Sequence, residues 1–324
     1  MSGDALAFWL AFPGKGELRP ARVPSPGPGE VLVRTLHTGV SRGTETLVFT
    51  GRVPASQSSA MRAPYQEGDF PGPVKYGYLN VGVVEAGEPT LIGKTVFSLY
   101  PHQTRYVVPA AAVTVVPGDV PAHRAVLAGT VETAVNALWD AAPLVGDRVA
   151  VVGGGMVGCS AAAILARFPG VRVELVDPDE SRAEIARRLG VGYARPADAR
   201  GDCDIVIHAS ATEAGLTRSL ELLATEGTVV ELSWYGDRPV SVPLGEFFHA
   251  RRLTVRSSQV GGIAPARRRS YADRLALALD LLADPRFETL VTGRSAFADL
   301  PDVLPRLADG SLPALCHVID YPEE

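Results

Sequence analysis

The sequence predicts an α/β protein in which a strand-rich first section precedes a parallel sheet covered by helices on both faces. Three observations carry that expectation. Of the 26 prolines, 14 fall within the first 121 of 324 residues. From about Ala122, alanine-rich helical stretches alternate with compact apolar runs. A glycine-rich turn, Gly153-Gly154-Gly155-Met156-Val157-Gly158, follows one of those runs directly.

In the first section, short β-branched runs such as Val31-Leu32-Val33 and Val81-Gly82-Val83-Val84 alternate with Pro/Gly clusters. Proline ends helices and sits at turns and strand edges, so strands with irregular connections are expected, with a turn at 24–29. The apolar runs 148–152, 171–176, 205–208, 229–232 and 253–255 then read as short strands of a sheet buried on both faces. After Gly261 come the basic run Arg267 to Arg269, an amphipathic helix over 271–283, a helix over 299–309 and a strand over 316–320. That tail is too small to fold alone and is expected to return and complete the first section.

The charge balance, 31 Lys+Arg against 36 Asp+Glu for a net −5, provides no general field for phosphate backbones or anionic lipid. A small-molecule substrate is expected, with no nucleic acid and no membrane as partner. Cys159, Cys203 and Cys316 are odd in number and far apart, which argues against a disulfide framework or a four-thiolate zinc site. No basic region precedes the short apolar stretch at the N-terminus, and no apolar run reaches about 18 residues. A cytoplasmic location is expected.

The most specific signal is the glycine turn. Gly153 permits the tight turn after a strand, Gly155 lets the backbone approach a pyrophosphate, and Gly158 allows close helix–sheet packing. The amides of Met156 and Val157 then open a helix whose N-terminus favours an anion. Asp177 ends the next strand, 24 residues past Gly153, where its carboxylate can accept from an adenosine ribose and repel a 2′-phosphate. NAD is expected over NADP. The alternatives are that Asp177 caps the following helix and that Arg182 accepts a phosphate.

Three segments carry a resemblance to the medium-chain dehydrogenase/reductase superfamily: Gly39-Val40-Ser41-Arg42-Gly43-Thr44-Glu45, Gly77-Tyr78-Leu79-Asn80-Val81-Gly82, and Glu132-Thr133-Ala134. With Met61-Arg62-Ala63-Pro64, Gly68-Asp69-Phe70-Pro71, Lys75-Tyr76 and Tyr100-Pro101-His102-Gln103, the chain is most similar to the bacteriochlorophyllide a dehydrogenase-like branch. The resemblance implies a GroES-like catalytic domain over 1–120 and 261–324 around a Rossmann domain over 121–260, and a homodimer pairing through an edge strand over 253–260. Zinc-dependent members ligate with Cys and His in the first two segments. Here Ser41, Arg42, Tyr78 and Leu79 stand there, so the donors zinc needs are missing and no metal is expected.

Without a metal, side chains must polarise the carbonyl and move the proton. Tyr78 takes the place of an imidazole ligand and could donate to a carbonyl oxygen, with Lys75 lowering its pKa; equally it could only fill space. Thr44 and Glu45 could form a relay, or Glu45 could pair with an arginine of the cofactor domain. His102, in an irregular loop, is a candidate proton shuttle, and His37 a candidate substrate contact. The resemblance puts Glu132 and Thr133 beside the nicotinamide, with Glu132 an acid/base or a partner of Arg124. Ser210 and Ser233 follow parallel strands and should meet the cofactor, with Trp234 and Tyr235 as an apolar wall. His123, His208, His249 and His317 read as structural, and Arg267 to Arg269 as a solvated face or a guide for an anionic substrate. The expected activity is zinc-independent, NAD(P)-linked interconversion of a secondary alcohol and a ketone in a cleft between the domains. The alternatives are an enoyl or quinone reductase acting on an activated C=C bond, and a dinucleotide-binding protein without turnover.

Overall fold

The glycine turn and the proline-rich section fall in different parts of the fold. In the computed structural model of this chain, residues 3–263 and 269–322 are described; Arg267 and Arg268 lie outside them. Two compact units result: Met1–Gly129 with Leu279–Ala283 and Val291–Glu324, and Thr130–Ala278 with Asp284–Leu290.

The first unit contains β1 (Gly3–Phe12), β2 (Lys15–Val23), β3 (Glu30–Val40), α1 (Arg42–Phe49), β4 (Glu67–Gly68) and β5 (Val74–Lys75). It continues with β6 (Asn80–Gly87), β7 (Thr95–Ser98), β8 (Arg105–Pro109), β9 (Thr114–Val115) and α2 (Ala122–Ala125). The chain then runs through α3 (Ala128–Ala141), β10 (Arg148–Val152), α4 (Met156–Leu165), β11 (Arg172–Val176), α5 (Arg182–Leu189) and β12 (Gly192–Ala194). Next come β13 (Cys203–His208), α6 (Glu213–Leu222), β14 (Leu223–Glu231), α7 (Phe247–Ala250), β15 (Thr254–Ser257) and α8 (Tyr271–Leu281). Last are β16 (Val291–Ala296), α9 (Leu300–Ala308) and β17 (Cys316–Asp320).

In the first unit a seven-stranded sheet has the order β16-β17-β3-β6-β7-β9, with β8 also on β3, beside a four-stranded sheet β2-β1-β5-β4. Strand β3 alternates as a half-buried strand should: Val31, Val33 and Thr35 point inward, and the two valines pack with Val84, Val96, Tyr106 and Val108. The C-terminal β17 runs antiparallel to β3, pairing His317 with Val40 and Asp320 with His37.

The second unit carries a six-stranded parallel sheet, β12-β11-β10-β13-β14-β15. Numbered from β10, its order is 3-2-1-4-5-6, which places the topological switch between β10 and β13. Helix α4 is small and apolar nearly all round, and its residues 158–165 are all buried, as suits a helix that sits tightly on the sheet. Strand β14 starts at Leu223, ahead of the apolar run expected at 229–232. Its exposed Thr225 and Glu226, the latter at φ 63°, hide the strand from a hydrophobicity reading, and the pairing with β13 shifts register there. Edge strand β15 is shorter than the expected 253–260, and its four residues are all exposed.

Candidate active site

The dinucleotide cradle is built by glycines whose geometry leaves no room for side chains. Gly153, at φ 110°, turns the chain out of β10; a Cβ there would lie 2.6 Å from the Ser210 amide nitrogen. A Cβ on Gly158 would stand 2.0 Å from the Gly153 carbonyl oxygen, so this glycine sets how closely α4 approaches β10. Gly155, the N-cap of α4, has ordinary backbone angles, and a Cβ there would meet open space. The turn therefore opens outward at Gly155, directly over the Met156 and Val157 amides of the first helical turn, which lack helical acceptors. A pyrophosphate fits such a cradle.

Asp177 flanks it. One carboxylate oxygen accepts from the Gly154 amide at 2.6 Å and the other from the Asp179 amide at 2.8 Å. The carboxylate thus braces the glycine turn as well as the start of the next segment, and its remaining lone pairs can accept from a ribose. Arg182 turns its guanidinium to Asp179 at 3.3 Å. Thr133 is half-buried on α3, one residue past buried Glu132.

Glu132 pairs with Arg274 at 3.0 Å, not with Arg124 as one expectation had it. Arg274, 1 % exposed, also donates to Asn136 at 2.5 Å and to the Val260 carbonyl at 2.5 Å. Burial pushes the Glu132 carboxyl up, and the arginine counters it. The sequence does hold a signal for this arginine: it stands one helical turn before Ala278 on the buried stripe of α8.

In the first unit, α1 brings Ser41, Thr44 and Glu45 together with residues of the β-rich sheets. Glu45 reaches back over the helix start to accept from the Ser41 amide at 2.8 Å, a contact of the capping-box kind. Its other oxygen meets His102 Nε2 at 3.0 Å. His102 Nδ1 lies 2.7 Å from the Thr38 hydroxyl, which is 3.3 Å from the Tyr321 hydroxyl. In the tautomer that donates Nε2–H to the carboxylate, Nδ1 accepts from Thr38, and the chain of donors runs Tyr321, Thr38, His102, Glu45. Glu45 and His102 are 4 % and 1 % exposed, so this relay is internal. On its apolar side Glu45 borders a cavity of about 20 Å³ lined also by Phe8, Val48, Phe49 and Tyr76, enough for one water.

Tyr78 is half-buried and donates to Ser41 Oγ at 2.7 Å. Burial, then the Glu45 charge, push its phenol up to about 12, against the hydrogen bonds of Ser41 and Thr44. The expectation that Lys75 lowers this pKa fails. Lys75 sits buried on β5, bonded to Glu67 and, at 2.7 Å, to Gln103, with the Tyr100 ring 5.3 Å away. Burial lowers the pKa of Lys75 itself. The lysine and the tyrosine are three residues apart, but Lys75 ends β5 and Tyr78 lies in the irregular stretch beyond Gly77, at φ 120°, and they meet different neighbours.

Two polar arrangements are missed by reading the sequence. Ser41, visible there only as a lost metal ligand, is the polar partner of Tyr78. His208, read as structural, ends β13 inside a network: Nδ1 lies 2.7 Å from Glu231 and Nε2 2.7 Å from Ser210 Oγ. A histidine within the apolar run 205–208 signals a buried polar group in need of a partner, but the partner stands on the adjacent strand. Ser233 accepts from the Ala211 amide at 3.0 Å, and Tyr235 donates to Glu231 at 3.1 Å. His37 binds Asp320 at 2.8 Å and stacks edge-on with His123; His317 meets Ser295 at 2.9 Å. Among the described residues, no group of three or more His, Cys, Asp or Glu is placed to hold a metal ion, and no helix is long and apolar enough to cross a membrane.

No family model matches the sequence, and no curated protein matches it either. Solved structures do. The chain is similar to L-idonate 5-dehydrogenase of Escherichia coli K-12, with 14% identity, a TM-score of 0.82 and 99% of each chain covered. It is similar to 2R,3R-butanediol dehydrogenase of Bacillus subtilis, with 15% identity and TM-score 0.79 over 98% of this chain and 100% of that one. A short chain alcohol dehydrogenase of E. coli CFT073, solved with NADH, shares 16% identity and TM-score 0.77 over 98% of this chain and 100% of its own. At these identities the likeness is one of fold: a β-rich GroES-like part and a parallel-sheet Rossmann part, within the α/β class that the strand pattern predicts and as the family resemblance implies.

Proposed function

We propose that this chain is an NAD-linked oxidoreductase of the medium-chain dehydrogenase/reductase kind, similar to the bacteriochlorophyllide a dehydrogenase-like branch, that interconverts a small secondary alcohol and a ketone without zinc. The observation that carries the reading is the Gly153–Gly158 turn: closed to side chains at Gly153 and Gly158, open at Gly155, and braced by Asp177. The names of the three similar structures, an alcohol dehydrogenase carrying NADH and dehydrogenases of L-idonate and of 2R,3R-butanediol, favour the same chemistry.

Gly153, Gly155, Met156, Val157, Gly158 and Asp177 would hold the dinucleotide, which when bound supplies the hydride donor or acceptor. Asp177 then favours NAD over NADP, because a 2′-phosphate would face its charge. The proton chemistry falls to hydroxyls. Tyr78 stays a phenol at neutral pH; its one hydrogen, donated to Ser41 Oγ at 2.7 Å, would turn to a ketone oxygen as negative charge develops there, and the Ser41 hydroxyl could then donate to the tyrosine oxygen. Glu45 fixes Ser41 through its amide, and His102 fixes Glu45; these two position the hydroxyls from inside. A phenol with a pKa of about 12 is an acid rather than a base at neutral pH, so it is in the form that ketone reduction needs. We also propose a cytoplasmic protein that pairs through its exposed edge strand β15 into a homodimer.

The test is NADH consumption with a panel of small ketones and of enones. Turnover of ketones is expected. Turnover of C=C acceptors alone would replace the reading with that of an enoyl or quinone reductase, and NADH binding without any turnover would leave a binding protein.

A further inference from the structure

We infer that Thr38 and Tyr321 are positioning residues of the proposed reaction: acting through His102 and Glu45, they hold the Ser41–Tyr78 hydroxyl pair from the interior. The inference rests on the reading of Tyr78 and Ser41 as the pair that handles the proton, and deepens it.

Three observations lead there. First, strand register sets the far end of the chain of donors. Thr38 stands on β3 opposite Ile319 of β17 and Asn80 of β6. Just past β17, Tyr321 donates its amide to the Leu36 carbonyl at 3.1 Å, and its ring stacks on Phe297 with centroids 4.4 Å apart. Its hydroxyl therefore reaches Thr38 Oγ1, at 3.3 Å, from a fixed base. Second, His102 is held by its backbone and by its ring. Its carbonyl accepts from the Phe8 amide at 2.9 Å, and its ring meets Phe8 edge-on at 6.3 Å. A Cβ on Gly77 would stand 2.8 Å from His102 Cδ2 and 3.0 Å from Nε2. A glycine admits the ring there, and the next residue is Tyr78. Third, the chain of donors is interior. Thr38, His102, Glu45 and Tyr321 are all buried, whereas Ser41 and Tyr78, at its near end, are half-buried.

The hydrogen-bond directions follow from the carboxylate, which only accepts. His102 Nε2 bears the hydrogen shared with Glu45 Oε2 at 3.0 Å. In the neutral imidazole Nδ1 is then an acceptor, and Thr38 gives it its one hydrogen at 2.7 Å. Thr38 Oγ1 accepts in turn from Tyr321, which burial keeps a phenol. The other Glu45 oxygen is left for the Ser41 amide at 2.8 Å. That bond fixes the start of α1, and with it the Ser41 hydroxyl that meets Tyr78 at 2.7 Å. With both ring nitrogens engaged inside, His102 orients its neighbours and passes no proton to substrate. Removing the Thr38 hydroxyl leaves Nδ1 a buried acceptor without a donor. The ring then turns away from Glu45 to find one, and the hold on Ser41 loosens. A shift of about 1 Å at a reacting group can cost about a hundredfold in rate, so a partial loosening is expected to cost less.

The experiment compares the wild-type chain with Thr38→Val, Thr38→Ser and Tyr321→Phe. Valine keeps the shape of threonine without the hydroxyl, and serine keeps the hydroxyl without the methyl. The readouts are kcat and KM with NADH and a small ketone, NADH affinity by calorimetry, and NMR of the imidazole hydrogens in a chain labelled at its histidine nitrogens. The His102 signals are those missing in His102→Asn. Thr38→Val is expected to lower kcat roughly tenfold with KM and NADH affinity within about twofold, and Thr38→Ser to recover kcat to within about threefold of wild type. Tyr321→Phe should lower kcat by about threefold, and wild-type His102 should carry its hydrogen on Nε2. A kcat that Thr38→Val leaves unchanged overturns the inference. So does a Thr38→Ser as slow as Thr38→Val, which marks packing of the methyl, and so does a joint fall of kcat and NADH affinity, which marks a general loss of structure. A hydrogen on Nδ1 of wild-type His102 overturns the chain of donors. Should Thr38→Val fail to fold, Tyr321→Phe decides in its place, and an unchanged kcat there overturns the inference. A wild-type chain that reduces no ketone overturns the proposed function itself, an outcome distinct from normal turnover that Thr38→Val does not slow.

Discussion

Burial raises both Tyr78 and Glu132, and their partners give them different uses. Tyr78 has a hydroxyl partner and stays protonated, so it serves as a donor. Tyr78→Phe should lower ketone turnover by about 10²-fold, with NADH affinity unchanged by calorimetry. Alcohol oxidation by the native chain should rise with pH through the alkaline range, because it needs the phenolate; reduction should stay flat over that range. Glu132 has a guanidinium partner and is held as half of a buried pair with Arg274. Removing one partner leaves the other charge buried, so Arg274→Met should cost about 3–5 kcal/mol of stability in urea unfolding, more than the loss of any exposed ion pair.

At the scale of elements, the two glycines that frame α4 separate folding from binding. Gly158→Ala forces a Cβ against the Gly153 carbonyl, so α4 must move and the melting temperature should fall by several degrees. Gly155→Ala places its methyl in open space at an ordinary φ, so the melting temperature should hold while NADH affinity falls roughly tenfold or more. Equal effects of both substitutions on stability would contradict the cradle. Asp320 ties β17 to β16 through Arg294 at 2.8 Å and to β3 through His37 at 2.8 Å. Burial acts to raise its carboxyl, and Arg294 and His37 outweigh it and hold the pKa below the ordinary carboxylate value. A folded pKa below the unfolded one means a stabilising contribution that is full above about pH 4 and is lost as pH falls further. Asp320→Asn should therefore flatten the acid limb of stability measured between about pH 5 and 2. The elements most legible in sequence are those with one strong signal, such as β10 with its glycine turn or β17 with its apolar run. The start of β14 is not legible, because Thr225 and Glu226 break the apolar run.

For the molecule as a whole, local patterns reveal the fold more readily than the site. Strand β10, the glycines and Asp177 are near in sequence, so the cradle can be read directly. The pairings of Glu45 with His102, Glu132 with Arg274 and His208 with Glu231 join residues 57, 142 and 23 positions apart. Spacing alone does not select such partners; strand register does for His208 and Glu231, and the packing of helices and loops does for the other two. Lys75 and Tyr78 show the converse, near in sequence and turned to separate neighbours. The proposed function requires that the cradle take a dinucleotide, with Asp177 reading its adenosine ribose. Fluorescence titration of the native chain with NADH and NADPH tests this most directly. NADH should bind at least about tenfold more tightly than NADPH, and Asp177→Ser should narrow the gap. Binding of neither coenzyme, or tighter binding of NADPH, would contradict it.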